Sequence, residues 1–111
     1  MEILSKPEEL ILLSIWRLKD DAYGVTIRKH IREITGKDFS ISGIYLPLER
    51  LVRKGFLEAY QGDPSPVRGG MSKRYYRLTE EGVDVLRESR EVLDTMWNEL
   101  PELSVNSKKT R

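Results

Sequence analysis

The chain has no cysteine, so a disulfide framework and any thiolate metal site are excluded. Its single histidine, His30, has no second imidazole or thiol to share a cation with, and no metal or cofactor is expected. Long apolar runs are missing too. The longest, Leu10 to Trp16, is interrupted by Ser14 and falls far short of the roughly 20 residues a membrane span needs. No segment sets a basic stretch before an apolar one as a signal peptide does, so the cytoplasm is the expected compartment. There is no nucleophile placed for activation and no glycine-rich phosphate loop. Asp20 and Asp21 stand side by side where a turn precedes a helix, which is ordinary for aspartate. An enzyme is therefore the least expected class. At 111 residues the chain has material for one small core.

Net charge is scarce as well, only +1, so the total gives no reason to expect a polyanionic partner. The distribution does. Residues 1–39 carry seven basic and seven acidic side chains, whereas residues 40–77 carry seven and three. Residues 80–103 reverse the balance with two basic and eight acidic, and the tail from Ser104 to Arg111 adds three basic ones. A basic middle beside an acidic helix describes a molecule with one face that attracts phosphate and another that repels it.

Local patterns predict the elements. Ser5 and Glu8 have capping-box spacing with Pro7 in the first turn, and Leu10, Ile11, Leu13, Ile15, Trp16 and Leu18 extend a helix to about Lys19. A second helix runs from about Tyr23 to Thr35, with Ile27, Ile31 and Ile34 on its stripe and Gly36 as its stop. Phe39 to Ile41 is expected as a short strand. Ser42 is the expected cap of a third helix with Ile44, Leu48 and Leu51 inward and Gly55 at its end. Strand formers at Leu57 to Tyr60 and Tyr75 to Leu78 flank a Gly/Pro/Ser-rich loop, Gln61 to Arg74. Thr79 then caps a fourth helix, Glu80 to about Leu100, closed by Pro101. The order predicts an α+β, mainly α chain: a winged helix-turn-helix with an added long C-terminal helix. Its parts are a winged domain over 1–78, an interaction helix over 79–103 and a disordered basic tail over 104–111.

Such an arrangement can hold duplex DNA twice, with the third helix in the major groove and the wing on the backbone. With Ile44, Leu48 and Leu51 inward, Ser42, Gly43, Tyr45, Leu46, Glu49 and Arg53 form the candidate reading face. Serine and tyrosine suit phosphate or base-edge hydrogen bonds, Leu46 a thymine methyl, Glu49 a cytosine amino group and Arg53 a phosphate. Arg68, Lys73 and Arg74 lie in or beside the wing, where Gly69 and Gly70 permit close approach to a phosphodiester. Arg28 and Lys29 on the second helix are further phosphate candidates. The plain reading of each is a solvated polar or cationic surface.

The fourth helix carries Val83, Leu86, Leu93, Trp97 and Leu100 on one stripe, broken at Arg90, and Val85, Val92 and Met96 on a second. That face is too wide for one small domain to cover, so a partner is expected.

Three stretches in order, D-A-Y-G-V-T-I-R-K-H-I, I-Y-L-P-L-E-R-L-V-R-K-G-F-L and R-Y-Y-R-L-T-E-E-G, resemble the short members of the PadR family of transcriptional regulators, from Leu10 to about Leu100. The wing G-D-P-S-P-V-R-G-G-M-S-K-R is similar to a variant of that family. The resemblance implies a homodimer on double-stranded DNA, paired through the fourth helix against the partner's first and fourth. Leu10, Leu13, Val83, Leu86, Leu93, Met96, Trp97 and Leu100 are then interface candidates. It also implies that Trp16 and Trp97, at the dimer centre, could contact a small planar ligand; their plain role is as interface anchors. One departure concerns Pro47, which follows Leu46 where many relatives have proline directly after the tyrosine. With Ser42 as cap, the helix must start later or have a distorted first turn.

A repressor on a palindromic operator is the expected function. A winged helix that binds protein, without an operator, is the alternative.

Overall fold

The structure is a computed structural model, and it describes residues 2–62 and 73–98. Helix α1 (Lys6–Leu18) begins with a reciprocal cap: the Glu8 amide donates to Ser5 Oγ at 3.2 Å, and the Ser5 amide donates to Glu8 Oε1 at 2.9 Å. Two orphan amides are satisfied at once, the reason this spacing starts helices. A single 3-10 turn, Lys19–Asp21, leads to α2 (Gly24–Thr35), which stops at Gly36 with φ of 77°. Helix α3 (Ile41–Arg53), strands β1 (Leu57–Gln61) and β2 (Arg74–Leu78), and α4 (Glu80–Asn98) follow. Thr79 caps α4, its Oγ1 accepting from the Gly82 amide at 3.0 Å.

The strands form one antiparallel ladder, with Leu57 opposite Leu78 and Gln61 opposite Arg74. This is the stem of the wing, and it is fastened to the segment entering α2: the Tyr76 amide donates to the Ala22 carbonyl at 2.9 Å, and Tyr23 bridges Tyr75. Beneath it lies the core. Ile11, Leu12 and Ile15 of α1, Ile27 and Ile31 of α2, and Ile44, Leu48 and Leu51 of α3 meet Leu57, Tyr76 and Val85. Each such side chain contributes about 1.5–3 kcal/mol on burial, and together they hold three helices against the stem. The molecule is a winged helix-turn-helix, mainly helical, with the added C-terminal helix.

Three local expectations are corrected. Phe39 to Ile41 is no strand: Ser40 has extended backbone and caps α3, accepting from the Gly43 amide at 3.0 Å, and Ile41 is already helical. The cap is thus Ser40 rather than Ser42, and the helix starts earlier than expected. Pro47 therefore lies well inside α3, buried, and cannot supply the amide that the Gly43 carbonyl would take in a regular helix. Burial of Ile44, Pro47, Leu48 and Leu51 on one side outweighs that loss. Ile34 is 66% exposed because α1 and α3 cover α2 only as far as Ile31. The wing tip with Arg68, Gly69 and Gly70, the residues Leu100 and Pro101, and the tail all lie outside the described residues.

Candidate nucleic-acid interface

Helix α3 presents Ser42, Tyr45, Leu46 and Arg53 outward, with Leu46 at 66% exposure. An exposed leucine beside serine, tyrosine and arginine is a mixed surface, apolar enough for a thymine methyl and polar enough for phosphate. Gly43 is half-buried against its own cap. Tyr45 leans over the first turn of α2, its hydroxyl filling the space that a Cβ at Gly24 would occupy. Helix α2 and helix α3 are thus in contact at the tyrosine, and only glycine at position 24 allows it.

Arg28 joins the same two helices differently. Its Nε donates to the Phe39 carbonyl at 2.6 Å and lies 3.2 Å from Asp38 Oδ1, so it holds the connection entering α3. Lys29 is exposed beside it.

On the wing stem, Lys73 Nζ donates to the Tyr23 hydroxyl at 2.9 Å and lies 4.1 Å from the centroid of that ring. Tyr75 stacks on Tyr60 with centroids 5.7 Å apart and meets Tyr23 edge-on at 5.3 Å. The strand that carries Lys73 toward the wing is therefore anchored to α2 through aromatic contacts.

Arg74 makes a two-pronged pair with Glu49 of α3, Nε to Oε2 and Nη2 to Oε1, each 3.2 Å. Tyr76 completes the group. Its hydroxyl donates to Glu49 Oε2 at 3.1 Å and accepts from Arg74 Nε at 3.2 Å. Burial pushes the Tyr76 phenol above its ordinary value; the Arg74 guanidinium opposes this and the Glu49 carboxylate adds to it. The hydrogen bond to Tyr76, followed by Glu49, holds Arg74 more firmly protonated than usual.

The structure thus brings Glu49 and Arg74, expected as separate DNA contacts, into one bonded group. The sequence gives no sign of that pairing, nor of the Gly24–Tyr45 approach, since both depend on how α3 lies against other elements. The Tyr23, Tyr60 and Tyr75 cluster was equally hidden, although three tyrosines around a wing are a compositional hint of packing at its base.

Away from this face, α1 and α4 enclose a groove of about 680 Å³ lined by Leu13, Trp16, Val83, Leu86, Leu93 and Trp97. Trp16 is 54% and Trp97 62% exposed in the single chain, and Leu13, Leu93 and Met96 are open as well. Leu10 and Leu86 differ, being packed against the chain's own core. Ser89 of α4 donates to Glu9 of α1 at 2.7 Å, fixing the two helices at one point along the groove.

Comparison with known proteins follows the same lines. An uncharacterised protein of Lysinibacillus sphaericus is 35% identical over 88 residues, 78% of this chain and 74% of its own length. A PadR family transcription regulator from Clostridium difficile R20291 superposes with a TM-score of 0.74 at 25% identity, covering 89% of this chain and 98% of that one. A PadR-like transcription factor of Bacteroides fragilis gives 0.66 at 27% identity over 90% and 86% of the two chains. Residues 12–88 match the model of the transcriptional regulator PadR-like family, and the chain belongs to that family.

Proposed function

We propose that the protein is a homodimeric DNA-binding repressor that occupies a palindromic operator and is released by a change in dimer geometry. The observation that carries this reading is the juxtaposition of an uncovered α3 face with a cationic wing stem rigidly joined to α2. Ser42, Tyr45, Leu46 and Arg53 enter the major groove, while Lys73, Arg74 and Arg68 address backbone phosphate. Lys29, exposed on α2, then contacts a flanking phosphate.

The exposed apolar residues of α1 and α4 support pairing through the 79–103 segment. A twofold dimer sets two recognition helices about 34–36 Å apart, one turn of the duplex, so a small change at the dimer moves both helices out of register. A coupling of about 1–3 kcal/mol is enough for 5- to 150-fold release. The groove holding Trp16 and Trp97 is the place where a small planar ligand would exert that coupling. The acidic outer side of α4 then faces away from DNA.

The test is a titration of the purified protein against the DNA upstream of its own gene and against a scrambled duplex, at two salt concentrations. Tighter binding to the native sequence, saturating at two chains per site, is the expected result. Equal, weak and salt-abolished binding to both would leave only generic electrostatics, and a protein-binding winged helix would replace the repressor.

A further inference from the structure

We propose that Glu49 serves DNA recognition as a positioning residue: it holds the Arg74 guanidinium, so that the recognition helix and the wing stem engage the duplex as one unit. The proposal rests on the DNA-binding reading above and changes the part Glu49 plays in it, from a reader of bases to a support.

Four observations lead there. Both carboxylate oxygens of Glu49 are already engaged, Oε1 by Arg74 and Oε2 by Arg74 and Tyr76. Oε2 accepts two bonds and Oε1 one, so a cytosine amino group would find a single acceptor site left on a carboxylate already held by a charge-assisted, two-pronged pair. Second, the group is anchored from below. The Tyr76 residue is fully buried, so its hydroxyl is a fixed post, and the three side chains close a cycle in which each is bonded to the other two.

Third, the location suits a support. Arg74 is the first residue of β2, paired with Gln61 at the end of the ladder nearest the wing loop, where the chain returns from it. A tie from α3 to that point sets the angle between the helix and the wing stem. Fourth, a lone carboxylate on a face meant for phosphates would repel them, whereas the Glu49–Arg74 pair carries no net charge. Arg74 Nη1 makes no bond among the described residues, and the side chain is about half exposed. One edge of Arg74 is thus held by Glu49 and Tyr76 while another remains for a phosphodiester oxygen.

The closing experiment uses the full chain and the upstream duplex and its scrambled counterpart, with four variants: Glu49→Ala, Glu49→Gln, Arg74→Ala and the Glu49→Ala/Arg74→Ala double. Glu49→Ala is expected to weaken native binding roughly tenfold, the scale of coupling between contacting residues. It should leave scrambled binding unchanged or slightly stronger, because a negative charge has been removed. The native loss should be the same whichever base pair of the operator is altered. Glu49→Gln, which keeps the side-chain size but only one acceptor oxygen, should fall between the two proteins, and the double variant should be no weaker than Arg74→Ala alone.

A loss confined to one C·G pair would overturn the proposal and return Glu49 to base reading. Additive losses in the double variant would overturn it by showing that the two residues do not act together. Equal loss on both duplexes, with a lowered melting temperature, would reduce the group to fold support and overturn it too. Wild-type protein with no preference for its upstream DNA would instead remove the DNA-binding reading itself, and this proposal with it.

Discussion

The hydroxyl of Tyr45 on the recognition helix occupies the space into which a Cβ at position 24 would project from the first turn of α2. The obstacle is the far end of a side chain, free to rotate, rather than backbone. Gly24→Ala is therefore expected to displace the ring without unfolding the protein. Helix propensity favours alanine by up to ~1 kcal/mol, which offsets much of the lost packing. Thermal stability should stay within about 1 kcal/mol of wild type while operator affinity falls about tenfold. Melting curves and DNA titration on the same preparation check both halves.

Gly82 makes the opposite case. A Cβ there would collide with the Phe56 carbonyl oxygen and crowd Leu78, and backbone cannot swing aside. Gly82→Ala should destabilise the fold by about 1–3 kcal/mol, the usual cost of overpacking, seen as a lower urea midpoint. An unchanged midpoint would mean that α4 can slide along the wing stem.

Glu8 governs stability at low pH. Burial raises the pKa of its carboxyl, but the Ser5 amide, the Arg50 guanidinium and the Lys54 ammonium outweigh that and hold it below the ordinary value of 4.5. A carboxylate whose folded pKa is depressed stabilises the protein above its unfolded value, and the contribution fades as pH falls through the folded one. Wild-type stability should thus decline below about pH 4.5. Glu8→Gln should be less stable at pH 7 by about 1–2 kcal/mol, through loss of charge-assisted bonds, and flatter in acid. Urea unfolding at pH 7, 5 and 3.5 separates the two profiles.

Pairing through α4 is open to a single substitution. Leu93 is 39% exposed in the groove that also holds Trp16 and Trp97. Leu93→Asp places a charge in the proposed interface and should raise the dimer dissociation constant at least about 100-fold, while the monomer fold stays intact. Sedimentation velocity would show the smaller species, and tryptophan emission would shift to the red as both indoles meet water. A wild-type protein that sediments as a monomer at micromolar concentration would end the dimer proposal.

The elements most legible in the sequence were those set by contacts within one turn. The Ser5–Glu8 box, the Gly36 stop, the Thr79 cap and the inward stripe of Ile44, Leu48 and Leu51 need only neighbours in the chain. The start of α3 was ambiguous for a physical reason. Ser40 and Ser42 are both competent caps, and Pro47 favours the later start because proline is easiest to place in a first turn. The extended backbone of Ser40 and the burial of Pro47 put the start at the earlier serine, an outcome that propensity cannot weigh. Ile34 failed in the same way: its stripe is apolar, but no element among the described residues reaches it.

Sequence alone therefore determined the order of the four helices and the two wing strands, the basic middle and the acidic last helix, because capping, periodicity and charge are written in adjacent residues. Tertiary structure decided what the functional side chains touch. Glu49 and Arg74 are 25 residues apart, and Glu49 and Tyr76 are 27 apart. They meet only because the buried faces of α3 and the wing stem share one core, which fixes their separation to within a hydrogen bond.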